Sequence, residues 1–455
     1  MYGKIKRIHF VGIGGIGMSG IAEVLLNMGY TVSGSDLKES DTVKRLRDLG
    51  AAISIGHSGE NVHGSGVIVI SSAVNERNPE VVEARKNNIP VIPRAQMLAE
   101  LMRLRYGIAV AGSHGKTTTT SMIASVLSRG GFDPTIVVGG KVKTLGTNAR
   151  LGKGSFMVVE ADESDGSFLL LSPVISVLTN IDEEHLDHYK GLRELGEAFA
   201  SFAAKIPFYG LSVFCADCPR VREIAKNFEK RSVTYGFHPE AELRAEGVGI
   251  SGFNTEFQAV LNGSPLGKIS LNVPGRHNAQ NSLAAVAVGM ELGMSFGDIR
   301  DGLGEFRGID RRLQIKGRGK DVLVLDDYAH HPNEIRATID AVKDSGLGRI
   351  VAIFQPHRYS RTKLLFDDFA NVLLDIDVLF LMDIYPAGED PIEGVTSKSL
   401  YQSVKEKGHR NVFYSNGSDN LVSSVLNAVR PGDVVITLGA GNVWAVGEKI
   451  AEEIA

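Results

Sequence analysis

Short apolar runs alternate with longer stretches of helical apolar spacing along nearly the whole chain. Residues 7–13 read as a strand, and 16–28 carries apolar positions at the helical period until Gly29 stops it. A second strand is predicted at 31–34, a helix at 43–49 closed by Gly50, and a third strand at 67–71. The proline-bearing stretch 89–93 ends this pattern, and a helix follows through Leu104. Strand 108–111, a helix from Lys116 to about Leu127, and strands 156–159 and 174–179 restart it. Residues 242–271 read differently: short alternating runs around Asn262-Gly263 predict an antiparallel hairpin. From 313 onward, strands at 322–325, 350–354, 378–382 and 434–438 are separated by helices. Strands that alternate with helices predict parallel sheets. The expectation is therefore three α/β domains, 1–105, 106–312 and 313–455. The first and last are Rossmann-like, and the middle one has a parallel sheet plus a small antiparallel one.

Charge and composition remove several function classes. Lys+Arg 49 against Asp+Glu 53 leaves a formal charge of -4, which gives no electrostatic reason for a nucleic acid or anionic membrane partner. The sequence has no apolar run of the roughly 18 residues a membrane span needs. Lys4, Lys6 and Arg7 before an apolar stretch imitate an export signal, but Gly12, Gly14, Gly15 and Gly17 interrupt that stretch. A cytoplasmic protein, monomeric or weakly dimeric, is expected. The two cysteines, Cys215 and Cys218, form one Cys-x-x-Cys, too few ligands for a structural zinc site. They are expected as reduced thiols.

Residues 106–120 carry the most chemistry. Behind the strand come Gly112-Ser113-His114-Gly115, then Lys116, Thr117 and Thr118 opening a helix. Backbone N–H groups at such a turn point at an anion, the helix dipole favours negative charge, and Lys116 adds a cation. The Thr117 hydroxyl is placed to ligand Mg²⁺. Two residues separate Gly112 from Gly115-Lys116 where the common phosphate loop has four. The strand and helix around it still predict an ATP cradle.

Other motifs follow predicted strands. Gly12 to Met18 has G-x-G-x-x-G spacing between a strand and a helix, with Asp36 placed as a ribose-binding acid. This needs only a diphosphate on the helix N-terminus, so NAD and a nucleotide-diphosphate sugar fit equally. Glu160 stands first in the acidic run 160–165, nearest the strand end, and is the expected Mg²⁺ ligand. His185, beyond the next strand, reads as a second metal ligand or a packed imidazole. His277 and Asn278, with Asn281, suit adenine by stacking and amide bonding, while helix capping is the other reading of Asn278. Arg311 and Arg312 offer guanidinium groups to a transferring phosphoryl. Asp327, Tyr328 and His330 follow one strand, and His357, Arg358 and Arg361 follow another, so both sets lie on one sheet edge. His357, Arg358 and Arg361 suit carboxylates or phosphate, with a packed histidine and solvent-facing arginines as the other reading.

In this order the motifs resemble the Mur ligases, ATP-dependent amino-acid ligases of peptidoglycan precursor synthesis. The resemblance rests on 111–120, 12–23, 327–332 and 355–362, and the shortened phosphate loop is a family trait. It implies ATP and Mg²⁺ as cofactors, and UDP-N-acetylmuramate and L-alanine as small-molecule partners. It places Gly14, Gly15, Ile16, Gly17, Met18, Asp36 and Ser72 at the UDP-sugar. Gly112, Ser113, His114, Gly115, Lys116, Thr117, Thr118, His277, Asn278, Asn281, Arg311 and Asp327 fall at ATP. Lys116, Glu160 and His185 are implied to be catalytic, with Thr117, Glu160 and His185 on metal. Tyr328, His330, His357, Arg358 and Arg361 are left for the amino acid and product. Sister ligases carry a carbamoylated lysine about fourteen residues after the counterpart of His185, where this chain has no lysine until Lys205.

Overall fold

The computed structural model describes residues 5–71, 73–142, 147–184, 188–415 and 420–455. The chain folds as two compact units. The first comprises 1–247, 257–270 and 280–306, and the second 248–256, 271–279 and 307–455.

The first unit opens with a five-stranded parallel sheet in the order Ala52–Ile55, Thr31–Asp36, Arg7–Val11, Val67–Ile70, Val91–Pro93. Residues 7–13 were expected to stay extended. The strand stops at Val11 because Gly12, at φ +77°, turns the chain into the helix Ile16–Asn27. The edge strand Ala52–Ile55 escapes the hydrophobic pattern because an edge leaves most of its side chains half-exposed or exposed.

A second sheet runs Ser264–Leu271, Asn254–Leu261, Leu243–Ser251, Ser232–Gly236, Leu211–Cys215, Ile175–Leu178, Tyr106–Ala111, Phe156–Glu160, Thr135–Val142, Thr147–Arg150. Its central strands pair in parallel and bury both faces, which is why they read as unbroken apolar runs. The predicted hairpin is three strands joined by two-residue connections at 252–253 and 262–263. One apolar cluster joins the first sheet to the second: Met18, Leu98 and Met102 belong to the same core as Phe168, Phe199 and Phe202. Phe168 stacks on Phe202 with ring centroids 5.2 Å apart.

The second unit is built on a six-stranded sheet in the order Gln314–Gly319, Val322–Asp327, Val434–Leu438, Ile350–Phe354, Val378–Met382, Val412–Ser415. Its strands pair in parallel except for the antiparallel edge Gln314–Gly319. No helix among the described residues is long and apolar enough to cross a membrane.

Candidate active site

In open α/β sheets, ligands gather beyond the carboxyl ends of the strands. Three neighbouring strands of the central sheet, Ile175–Leu178, Tyr106–Ala111 and Phe156–Glu160, end together and deliver Thr179-Asn180, the phosphate loop and Glu160 to one edge. Gly115 adopts φ +79°, a left-handed conformation open to glycine, and caps the helix Lys116–Arg129. A side chain at Gly112 would collide with the Thr179 hydroxyl, and one at Gly115 with the Asn281 amide. Asn281, expected at adenine, lies against the loop beside Gly115.

The loop is fastened from one side. The Asn180 Oδ1 accepts the His114 N–H at 2.8 Å, and the His114 carbonyl accepts from Asn180 Nδ2 at 3.0 Å and from Thr179 Oγ1 at 2.6 Å. The Asp182 N–H donates to Ser113 Oγ at 2.9 Å, and His114 Nε2 lies 3.1 Å from Asp182 Oδ2. Asn180, Asp182 and Thr179 were not singled out from the sequence. Their signal was position alone, immediately beyond the strand next to the loop.

Lys116 Nζ donates to the Gly112 carbonyl at 2.6 Å, the Ser113 carbonyl at 3.1 Å and Glu163 Oε1 at 2.8 Å. Burial pushes its pKa down, but the charges of Glu163 and Glu160 outweigh this and hold the ammonium well above its ordinary value. The Thr117 hydroxyl donates to Glu160 Oε2 at 2.8 Å, and the Gly139 N–H reaches the same oxygen at 2.8 Å. Glu160 thus stands at its strand's end beside Thr117, and Glu163 is the lysine's partner. Thr118 sits in the first helical turn. His185 and Ser72 lie outside the described residues.

At the glycine loop, Ser35 O accepts the N–H groups of Gly12 at 2.8 Å and Ile13 at 2.9 Å, and Asp36 Oδ2 accepts the Gly14 N–H at 2.8 Å. Asp36 therefore grips the loop itself. Gly15 caps the helix that Ile16 and Gly17 open, while the Met18 side chain packs into the core beneath. A side chain at Gly17 would strike Arg94, whose guanidinium also pairs with Asp162 at 2.9 Å. Sequence reasoning missed Arg94. Its cue was an arginine opening the helix Arg94–Met102 just after a strand end.

The second unit brings its own polar set together. The Asp327 carboxylate accepts the Leu313 N–H at 2.7 Å and the Ala329 N–H at 2.8 Å, and burial lifts its pKa to about 6 against the pull of Arg312. Arg311, at φ +61°, pairs with Asp326 Oδ2 at 3.1 Å and donates to the Gly439 carbonyl at 2.5 Å. Arg311 and Arg312 lie over the Tyr328 ring at 4.9 and 5.6 Å. His277 is held near 4 by burial and by Arg312. Asn278 donates to the Pro274 carbonyl at 2.7 Å, a local bond at the start of its helix. His330 meets His357 with centroids 5.9 Å apart, and His357 stacks on Tyr385 at 5.5 Å. Burial, then His330, Arg361 and Arg358, lower His357 to about 4. Arg358 Nε binds Glu389 Oε1 at 2.6 Å, and Arg361 lies 3.4 Å from the His357 ring.

These geometries accompany sequence similarity along the full length. Residues 7–106 match the Mur ligase family catalytic domain, 110–289 the Mur ligase middle domain, and 311–441 the Mur ligase glutamate ligase domain. The chain is 56% identical over 454 residues to the UDP-N-acetylmuramate--L-alanine ligase of Geotalea uraniireducens, spanning 100% of this chain and 99% of that one.

The chain belongs to the Mur ligase family.

A second relative, the ligase of the same name from Geobacter sp. strain M21, is 58% identical over 99% of this chain and 98% of its own. Among solved structures, the UDP-N-acetylmuramate-alanine ligase of Thermotoga maritima superposes with a TM-score of 0.84 at 30% identity, covering 98% of both chains. A murein peptide ligase from Psychrobacter arcticus shares the fold, with a TM-score of 0.70 at 24% identity over 99% of this chain and 98% of its own. The Mur architecture accounts for the three α/β domains expected from the pattern of strands and helices.

Proposed function

We propose that this Mur ligase joins L-alanine to the carboxylate of UDP-N-acetylmuramate at the expense of ATP, in peptidoglycan precursor synthesis. The observation that carries the reading is the paired arrangement on the phosphate loop, with Lys116 at its mouth and the Thr117 hydroxyl on Glu160. The full-length identity to ligases of that name supplies the substrates.

The chemistry needs little covalent help. A carboxylate is a poor electrophile because its leaving group would be oxide. Attack of a carboxylate oxygen on the γ-phosphorus forms an acyl phosphate and releases ADP. The alanine amine then adds to the acyl carbon, loses a proton, and expels phosphate carrying that oxygen away. The first step asks the site to align two anions and neutralise their repulsion. Lys116 supplies a fixed positive charge at the loop, and the helix Lys116–Arg129 turns the positive end of its dipole to the phosphates. Thr117 and Glu160 bring two hard oxygen donors together, which fits Mg²⁺. When bound, that ion offsets phosphate charge.

In this reading residues 1–105 hold the UDP-sugar, 106–312 the nucleotide and 313–455 the amino acid. Gly14, Gly15, Gly17 and Arg94 take the diphosphate, and His330, His357, Arg358 and Arg361 the amino acid and product. The substrates place the reaction in the cytoplasm. Phosphate release from ATP with UDP-N-acetylmuramate across a panel of amino acids, with the tripeptide used by recycling ligases included, tests it. Release driven by L-alanine is expected; release driven only by the tripeptide overturns the assignment.

A further inference from the structure

Beneath the glycine loop lies a buried polar cluster that the reaction as described does not use. Glu80, in the first turn of the helix Pro79–Lys86, is fully buried. Its Oε2 accepts the Ser35 hydroxyl at 2.6 Å and lies 3.2 Å from His57 Nδ1, and its Oε1 accepts Asn61 Nδ2 at 2.6 Å. The buried His9 faces the same carboxylate at 3.7 Å and bonds Ser33 at 3.0 Å. Ser35 Oγ lies 2.9 Å from His57 Nδ1, so Ser35, His57 and Glu80 close a three-membered ring of contacts.

A buried carboxylate is costly unless its oxygens are satisfied. Burial raises the Glu80 pKa, but the nearby His9 and the hydrogen bonds from Ser35 and Asn61 outweigh it and leave the group below its ordinary value. The first-turn position also favours negative charge through the helix dipole. Glu80 is therefore held as the carboxylate.

Its location links it to the ligand edge. Ser35 is the residue whose carbonyl takes the Gly12 and Ile13 amides, and its neighbour Asp36 takes the Gly14 amide. The Ser35 side chain points the other way, to Glu80. Asp36 O also accepts the Gly56 N–H at 2.8 Å, which ties His57 to the same strand end. The Gly12, Ile13 and Gly14 amides thus end on a dipeptide whose Ser35 side chain is clamped by Glu80.

We infer that Glu80 is a positioning residue for the UDP-sugar: through Ser35 it fixes the strand end that holds the glycine loop in its diphosphate-binding shape. The inference rests on the reading of that loop as the UDP-sugar site.

The test uses isothermal titration of the full chain with UDP-N-acetylmuramate and, separately, with MgATP. Glu80→Gln keeps the shape and removes the charge. It is expected to weaken UDP-N-acetylmuramate about ten- to a hundredfold, the scale of a sub-ångström to 1 Å misplacement, with MgATP affinity unchanged. Ser35→Ala, which keeps the carboxylate and breaks the link, is expected to shift the same ligand in the same direction by less. Unchanged UDP-N-acetylmuramate affinity in Glu80→Gln overturns the inference. Parallel loss of both ligands, or a normal Ser35→Ala beside a defective Glu80→Gln, also overturns it, because Glu80 then serves only general stability. Wild-type protein that binds MgATP but no UDP-N-acetylmuramate overturns the reading of the loop itself, a distinguishable result.

Discussion

Lys116 Nζ donates to Glu163 Oε1 at 2.8 Å, and Glu163 is fully buried. The two remaining ammonium protons go to the carbonyls of Gly112 and Ser113, so all three donors of the side chain are committed to protein. Binding a terminal phosphate is then an exchange, in which phosphate oxygens replace protein acceptors. Lys116→Ala is expected to lower phosphate release by about a thousandfold, the scale of losing a key electrostatic contact, with UDP-sugar affinity unchanged. An active Lys116→Ala enzyme would remove the lysine from the mechanism.

Glu163→Gln separates charge from shape in the same pair. Removing one partner of a buried ion pair leaves the other uncompensated, at a cost of about 3 kcal/mol. The same change exposes phosphate to an undiminished lysine charge. Urea unfolding should show the loss while calorimetry shows tighter MgATP binding. Weaker MgATP binding would mean that Glu163 serves to aim the lysine rather than to hold it back. Because the ammonium pKa is raised, its contribution is complete below about 10.4, the ordinary lysine value, and is lost only above it. No basic limb in the rate between pH 7 and 10 should trace to Lys116.

Thr117 and Gly139 both donate to Glu160 Oε2, at 2.8 Å each. Glu160→Gln preserves an oxygen for them but halves the acceptor set and removes the charge. The rate measured against Mg²⁺ concentration should fall about a hundredfold at saturation and need more Mg²⁺ to reach it. A curve that superposes on the wild type would dismiss Glu160 as a metal ligand.

The Asn180 side chain holds both the backbone N–H and the carbonyl of His114, and its removal breaks two hydrogen bonds on a partly buried turn. At about 0.5–1.5 kcal/mol for each bond, Asn180→Ala should weaken MgATP roughly five- to a hundredfold. Asn180→Asp retains the acceptor and loses the donor, and should fall between. Calorimetry that found both variants at wild-type affinity would show that Thr179 alone suffices.

The sequence revealed what is local and hid what is assembled. The phosphate loop was legible because Gly112, Gly115, Lys116 and Thr117 are contiguous and their order follows from backbone geometry. Glu160 was legible from its place at a strand end. Asn180 and Arg94 were not, because their roles come from strands and helices far apart in the chain that meet at one edge. Asp36 was read as a ribose acid, yet its bond to Gly14 shows that the same carboxylate also shapes the loop. The strand Ala52–Ile55 was missed for a physical reason as well: an edge strand has one paired side and no unbroken apolar run to mark it.

The second unit should announce its buried histidines in its acid stability. His277 and His357 are held near 4, below the ordinary 6.5, so the unfolded chain takes up their protons first as pH falls. Their contribution is intact above 6.5 and is lost as pH drops toward 4. Asp327 runs the other way. Raised from 3.8 to about 6, it contributes fully below 3.8 and loses that contribution as pH rises through 6. Two histidines against one aspartate leave a net fall in stability between pH 7 and 4.5, shallower than two histidines alone would give. Trp444, the single tryptophan, lies on the unit's last helix and reports its unfolding by fluorescence. In urea titrations at stepped pH, His357→Asn should flatten the slope and Asp327→Asn should steepen it. The Asp327 variant also loses an acceptor for the Leu313 or Ala329 amide, so its stability drops at every pH and the slope is the quantity to compare. Slopes identical to the wild type in both variants would show that these groups titrate in the folded chain as they do in the unfolded one.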